Sequence, residues 1–278
     1  YHSQGRLLQA YPFLNHVRDI EPENLLYRGK LGTLLHQAGN TQEAWDEALF
    51  ILEKAPTDKT ALFLLQAASM NLKKMDEARF KIESIHASTP SAAANVALGM
   101  IDAIGSDFDA AEKRVQTAIE LDPNLSEAHA AMGSLHWARG EQDAADAAYR
   151  RSFELAQGDS SRQFIYAQYK FRSGDADAAN RLVDQILETA PRFVPALTLK
   201  AQLESAEANF EDATAISDEI LQLTPYNPEA ILLSSRLKLA QNQFEDAIRQ
   251  LERAVERFPE IDALTYQLAL AHLGYNEP

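Results

Sequence analysis

The stretch Ser126–Leu155, SEAHAAMGSLHWARGEQDAADAAYRRSFEL, reads as two helices joined at a glycine. Gly133 is a small residue in the middle of the first helix and Ala145 a small residue early in the second. Lack of bulk at both places lets two helices approach closely. Gly140 marks the turn, where a left-handed backbone is unstrained only for glycine. Glu141, Asp143 and Asp146 gather at the turn and the start of the second helix, where carboxylates complement the helix dipole.

Working outward, the same pattern recurs along the whole chain. Alanine stands at 10, 44, 78, 111, 145, 179, 213 and 247, in steps of 34 with one of 33. Proline keeps the same beat at 22, 56, 90, 123, 191, 225 and 259, with Gln157 in the vacant slot. It follows each second helix, where it stops the helix and stiffens the turn into the next. The first helices carry their own small residue: Gly32, Gly99, Gly133, Ala167, Ala201, Ser235 and Ala269. Gln66 breaks that series, so the repeat containing it is expected to pack more loosely. Gly5, Gly39, Gly140 and Gly174 mark turns within hairpins. A period of this length is the signature of a repeat array.

These residues carry a resemblance to the tetratricopeptide repeat (TPR) family, whose unit is a 34-residue helical hairpin with small, small, large-apolar and proline signatures. The resemblance covers essentially the whole chain and implies an all-α, right-handed superhelical solenoid of antiparallel helix pairs, about 16 helices. His129 and Gln163 stand where many family repeats have a bulky aromatic. Counting on the beat places full repeats near 25–58, 59–91, 92–125, 126–159, 160–193, 194–227 and 228–261, in a single array over 1–278. Residues 1–22 read as a second half-repeat and 262–274 as a first half-repeat. Neither end looks like a polar capping helix, and the chain opens on Tyr1, so a fragment of a longer chain is expected.

Composition narrows the function. The 278 residues are 46% hydrophobic, enough for a continuous core. With 26 Lys+Arg against 41 Asp+Glu, the net charge of −15 repels phosphate backbones and anionic lipid, which argues against nucleic-acid partners. No apolar run reaches the roughly 20 residues that span a bilayer, so direct membrane insertion is not expected. Cysteine is absent, which excludes disulfides, thiolate zinc sites and cysteine nucleophiles. No targeting segment identifies a compartment. The alanine-rich hairpins and acidic turns suggest a bacterial source, with periplasm and cytoplasm both open.

Signals for catalysis are thin. The sequence has no phosphate-binding Walker loop, no Gly-x-Ser-x-Gly elbow and no His-Glu-x-x-His. His129 and His136 share a helical face and, with Asp102, are the one set weighed as metal ligands. Packing in place of the family's aromatics is the better account of the two histidines, since a metal site needs three or four converging ligands. No catalytic, cofactor-binding or metal residue is therefore assigned, and no cofactor is expected.

In the TPR family the first helices line a concave groove, and the resemblance implies which side chains here would face it. Counted from the small packing residue of each first helix, they include Phe63, Met70, Val96, Met100, Trp137, Phe164, Gln168, Phe171 and Arg236. Leu232, Leu239, Tyr266 and Leu270 follow further along. The lining is apolar and aromatic through its middle, as expected of an interaction surface. Methionine and aromatic anchors suit an amphipathic helix or extended peptide. Arg172 and Arg236 are the only cations expected to face it. One subclass of the family grips chaperone C-termini with Lys, Asn and Arg; here those places hold Gly29, Thr33 and Gln37, then Phe63, Ala67 and Asn71, so that clamp is missing.

The reading is a non-catalytic protein–protein interaction scaffold binding an apolar partner peptide or helix, with basic flanks drawn to the acidic surface. An alternative is a recruiting arm of a larger enzyme or a cell-envelope or secretion assembly whose active domain lies elsewhere. End-to-end self-association is a further option, through Leu7, Leu8, Tyr11 and Phe13 on one side and Tyr266, Leu268, Leu270 and Leu273 on the other.

Overall fold

The computed structural model describes residues 7–276, with side chains described over 13–275. Gly5 lies outside the described residues, as do the side chains of Leu7, Leu8, Ala10 and Tyr11. All regular structure among the described residues is helical. The elements are α1 (Leu7–Ile20), α2 (Leu25–Gln37), α3 (Thr41–Lys54), α4 (Lys59–Leu72), α5 (Met75–Ser88), α6 (Ala92–Ile104), α7 (Phe108–Leu121) and α8 (Ser126–Ala138). There follow α9 (Gln142–Leu155), α10 (Ser160–Arg172), α11 (Ala176–Thr189), α12 (Val194–Ala206), α13 (Phe210–Leu223), α14 (Pro228–Ala240), α15 (Phe244–Arg257) and α16 (Asp262–Asn276). Even-numbered elements from α2 onward are the first helices of the hairpins.

The packing logic read from the sequence is present in the core. Ala44, Ala78, Ala111, Ala145, Ala179, Ala213 and Ala247 are all fully buried, at 0% exposure. Opposite them, a Cβ built on Gly133 would sit 2.8 Å from the Tyr149 ring, and one on Gly99 would meet Val115 Cγ2 at 3.0 Å. Glycine there is a condition of the close approach. Next to α2–α3, α6–α7 and α8–α9, the α4–α5 hairpin is paired less closely, in keeping with Gln66 replacing a small residue. Ala269 is exposed on α16, the last helix among the described residues.

Each proline of the ladder falls two residues past the last helical residue, as Pro56 does after Lys54 and Pro225 after Leu223. Within the hairpins the turn is made by one residue in the left-handed region. That residue is Gly39 (φ 84°), Gly140 (77°) or Gly174 (86°) in three of them. Lys73 (56°), Ser106 (67°), Ala208 (64°) and Asn242 (60°) take the same conformation in the others. For residues with a Cβ this is strained by about 1–2 kcal/mol, so the turn geometry is imposed by helix packing and not by local preference.

The described residues fall into two compact units, Leu7–Tyr166 and residues 167–276. In the first unit, one core cluster runs through Leu31, Trp45, Ile51, Leu62, Leu65, Ile82 and Leu98. A second gathers Val96, Val115, Leu125, Met132 and Leu135, and Phe63 packs against both. In the second unit, one cluster is built on Leu197, Ile220, Leu233 and Leu237, and another on Ile231, Leu251, Leu264 and Ala271.

Candidate functional site

The first-helix face of the first unit is the candidate site. On α4 and α6 the apolar side chains at helical spacing divide by exposure. Met70 is 50% exposed and Ile104 39%, while Phe63 and Met100 are half-buried. Val96 is the correction: at 3% exposure it packs with Val115 and Ala118 in the core. Its place on α6 faces the packed edges of neighbouring helices, so it offers no surface to a partner. Trp137 on α8 and Phe164 on α10 are half-buried.

Three of the expected residues belong to the second unit. Gln168 and Phe171, on the later part of α10, are exposed, Phe171 at 38%. Arg236 is exposed on α14 between the half-buried Leu232 and Leu239. On α16, Tyr266 and Leu273 are also open to solvent, whereas Leu268 is half-buried against the Ile231 cluster.

Charge is partitioned sharply between the two helix sets of the first unit. The second helices α3, α5, α7 and α9 carry thirteen Asp and Glu; the first helices α2, α4, α6 and α8 carry two, Asp102 and Glu127. Both are buried and both are held by two cations. Asp102 Oδ1 accepts from Arg79 at 2.6 Å and Oδ2 from Arg114 at 2.8 Å. Glu127 Oε1 lies 3.1 Å from Lys59 Nζ and 3.0 Å from Arg162 Nη2. A similar arrangement on α3 places Arg28 at 2.6 Å and Arg18 at 3.2 Å from the buried Glu47. A buried carboxylate without such partners would be strongly destabilising.

Besides Arg172 and Arg236, the cations expected at the groove, two further cations lie beside an expected groove residue. Lys59 and Arg162 stand on first helices, and the Arg162 guanidinium lies 5.7 Å from the centre of the Phe63 ring. Nothing in the local sequence announced these ion groups, because each draws at least one partner from another hairpin. The histidine set weighed as metal ligands does not assemble. His129 Nε2 is 2.9 Å from the Pro123 carbonyl, His136 pairs with Glu141, and Asp102 is taken by its two arginines. Among the described residues no group of three or more His, Asp or Glu converges as metal ligands.

Burial pushes the Glu127 carboxyl up, but Arg162, its own backbone N–H and Lys59 together hold it below the ordinary value of 4.5. It is therefore ionised at neutral pH and its charge is spent within the protein.

No curated protein sequence matches the chain. Among solved structures, yeast Tom70 aligns over 96% of this chain and 59% of its own, at 17% identity and a TM-score of 0.67. A chain of the APC/C hetero-tetramer Cut9–Hcn1 aligns over 96% of this chain and 53% of its own, at 16% identity and a TM-score of 0.60. PilW, a type IV pilus biogenesis factor, covers 76% of this chain and 98% of its own, at 17% identity and a TM-score of 0.61. The chain spans only about half to three fifths of the length of the first two. Models of the tetratricopeptide repeat match residues 126–159 and 204–273. The chain thus carries tetratricopeptide repeats at 126–159 and 204–273, and the 34-residue beat, the buried alanine ladder and the helical hairpins extend the same pattern through its other described repeats.

Proposed function

We propose that this protein is a non-catalytic interaction scaffold, and that the first-helix face of its first unit receives an apolar segment of a partner protein. The observation that carries this reading is the charge partition. In a chain of net charge −15, the first helices of that unit present no exposed carboxylate, while Met70 and Ile104 stand open beside Phe63, Met100 and Trp137. A surface kept free of like charge and supplied with methionine and aromatic side chains suits burial of an apolar partner. Basic residues flanking that segment would meet the carboxylates of the second helices.

Photo-cross-linking residues placed at Met70, Ile104 and Phe80 test this. Phe80 is 76% exposed but belongs to the second helix α5. In host extract, the first two positions should capture a common protein that Phe80 does not, and Trp137→Ala should reduce its yield. Equal capture from Phe80, or capture unaffected by Trp137→Ala, would place the interaction elsewhere.

A further inference from the structure

In a stacked array each repeat touches its neighbours, so the bend between hairpins is set by nearest-neighbour contacts alone. The Lys59–Glu127–Arg162 group departs from that rule. Lys59 is the first residue of α4 and Glu127 lies in the first turn of α8, with the whole α6–α7 hairpin between them in the chain. The ion pair nevertheless closes at 3.1 Å, and Arg162 from α10 completes it at 3.0 Å. The pair therefore bridges the starts of α4 and α8 across α6. The sequence of α6 permits it, since it opens on Ala92, Ala93 and Ala94, which project nothing beyond a Cβ. Phe63, one turn past Lys59, follows the same path and packs against the cluster that joins α6 to α8. The Glu127 side chain is 4% exposed, so its interactions are weakly screened, while Lys59 keeps 58% of its side chain in solvent. Asp159 adds a looser contact, 3.7 Å from Arg162 Nε.

We propose that this ion group is a clasp that fixes the curvature of the first unit: it holds α4 to α8 across α6, and its loss lets the unit straighten and its first-helix face widen. The other two doubly held carboxylates set the contrast. Glu47, on α3, is held from α1 and α2, and Asp102, on α6, from α5 and α7, so neither is reached across a whole intervening hairpin. The clasp needs no partner protein and stands independently of the proposed function.

The test uses the absence of cysteine. Cysteines introduced at Asn71 and Ala138, both exposed at the far ends of α4 and α8, take spin labels without competition. Pulsed electron spin resonance then reads the distance between them. Glu127→Gln and Lys59→Met should each lengthen and broaden the distribution by several ångström, whereas Asp102→Asn should leave it in place. If Glu127→Gln fails to fold, Lys59→Met at its largely exposed side chain decides alone. An unchanged distance in folded Lys59→Met overturns the proposal. An equal shift in Asp102→Asn does so too, because it would show general loosening and not release of a clasp.

Discussion

Lys59 Nζ lies 3.1 Å from Glu127 Oε1 although an entire hairpin, α6 and α7, intervenes between the two residues. The carboxylate titrates below its ordinary 4.5 in the folded chain, because its cation partners and backbone N–H outweigh burial. A depressed folded value means the stabilisation is fully present above the unfolded value and is lost as pH falls through the lower, folded one. Chemical-denaturation midpoints measured downward from neutral pH should therefore show a steep acid limb below about pH 4.5. Glu127→Gln should flatten that limb and lose about 1–3 kcal/mol at neutral pH. An identical acid limb in the variant would show that the group contributes nothing through its charge.

The turn residues give a second test. Ala208 holds φ 64° with no side chain that favours it. Ala208→Gly should stabilise the protein by about 0.5–1 kcal/mol, the relief of strain less the added freedom of the unfolded chain. Asn242→Gly, at φ 60°, should change stability by less, since asparagine tolerates this conformation. Thermal melting of the two variants side by side checks the order; a destabilised Ala208→Gly contradicts it.

Helix approach at Gly133 gives a third. The added methyl of Gly133→Ala would meet the Tyr149 ring at 2.8–3.0 Å, and that ring is buried with its hydroxyl 2.9 Å from Ser134 Oγ. Overpacking there should cost about 1–3 kcal/mol in urea unfolding. Pairing it with Tyr149→Leu should recover part of the loss, and no recovery would mean that the clash lies elsewhere.

The expected groove residues separate by burial, which a fourth measurement can read. Val96→Ala should lose about 2 kcal/mol, because a core side chain shrinks. Met70→Ala, at a half-exposed position, should stay within about 0.5 kcal/mol of the parent protein. If the two losses are alike, the assignment of one to the core and the other to the surface is wrong.

The hairpins were legible in the sequence because their cause is local and repeated. One alanine per second helix and one small residue per first helix suffice to set the approach, and all seven described alanines of that ladder are buried at 0%. Val96 was not placed, since whether a residue at that spacing meets solvent or the next hairpin depends on how far neighbouring first helices converge. The clasp was hidden for the same reason: Lys59, Glu127 and Arg162 are ordinary first-turn charges until α4, α8 and α10 are brought together. The left-handed turns were found only where glycine advertised them. Lys73, Ser106, Ala208 and Asn242 adopt the conformation under the pull of the packed helices, and that pull leaves no mark on residue type.

Relaxed and strained turns share the array unevenly, which bears on where folding can start. An array can nucleate at any repeat and spread to its neighbours, and a helical hairpin closes most readily where its turn carries no steric penalty. Gly39 and Gly140 supply such turns in the first unit and Gly174 in the second. The hairpins closed by Lys73, Ser106, Ala208 and Asn242 carry a steric penalty in their turns that packing against neighbouring helices must offset.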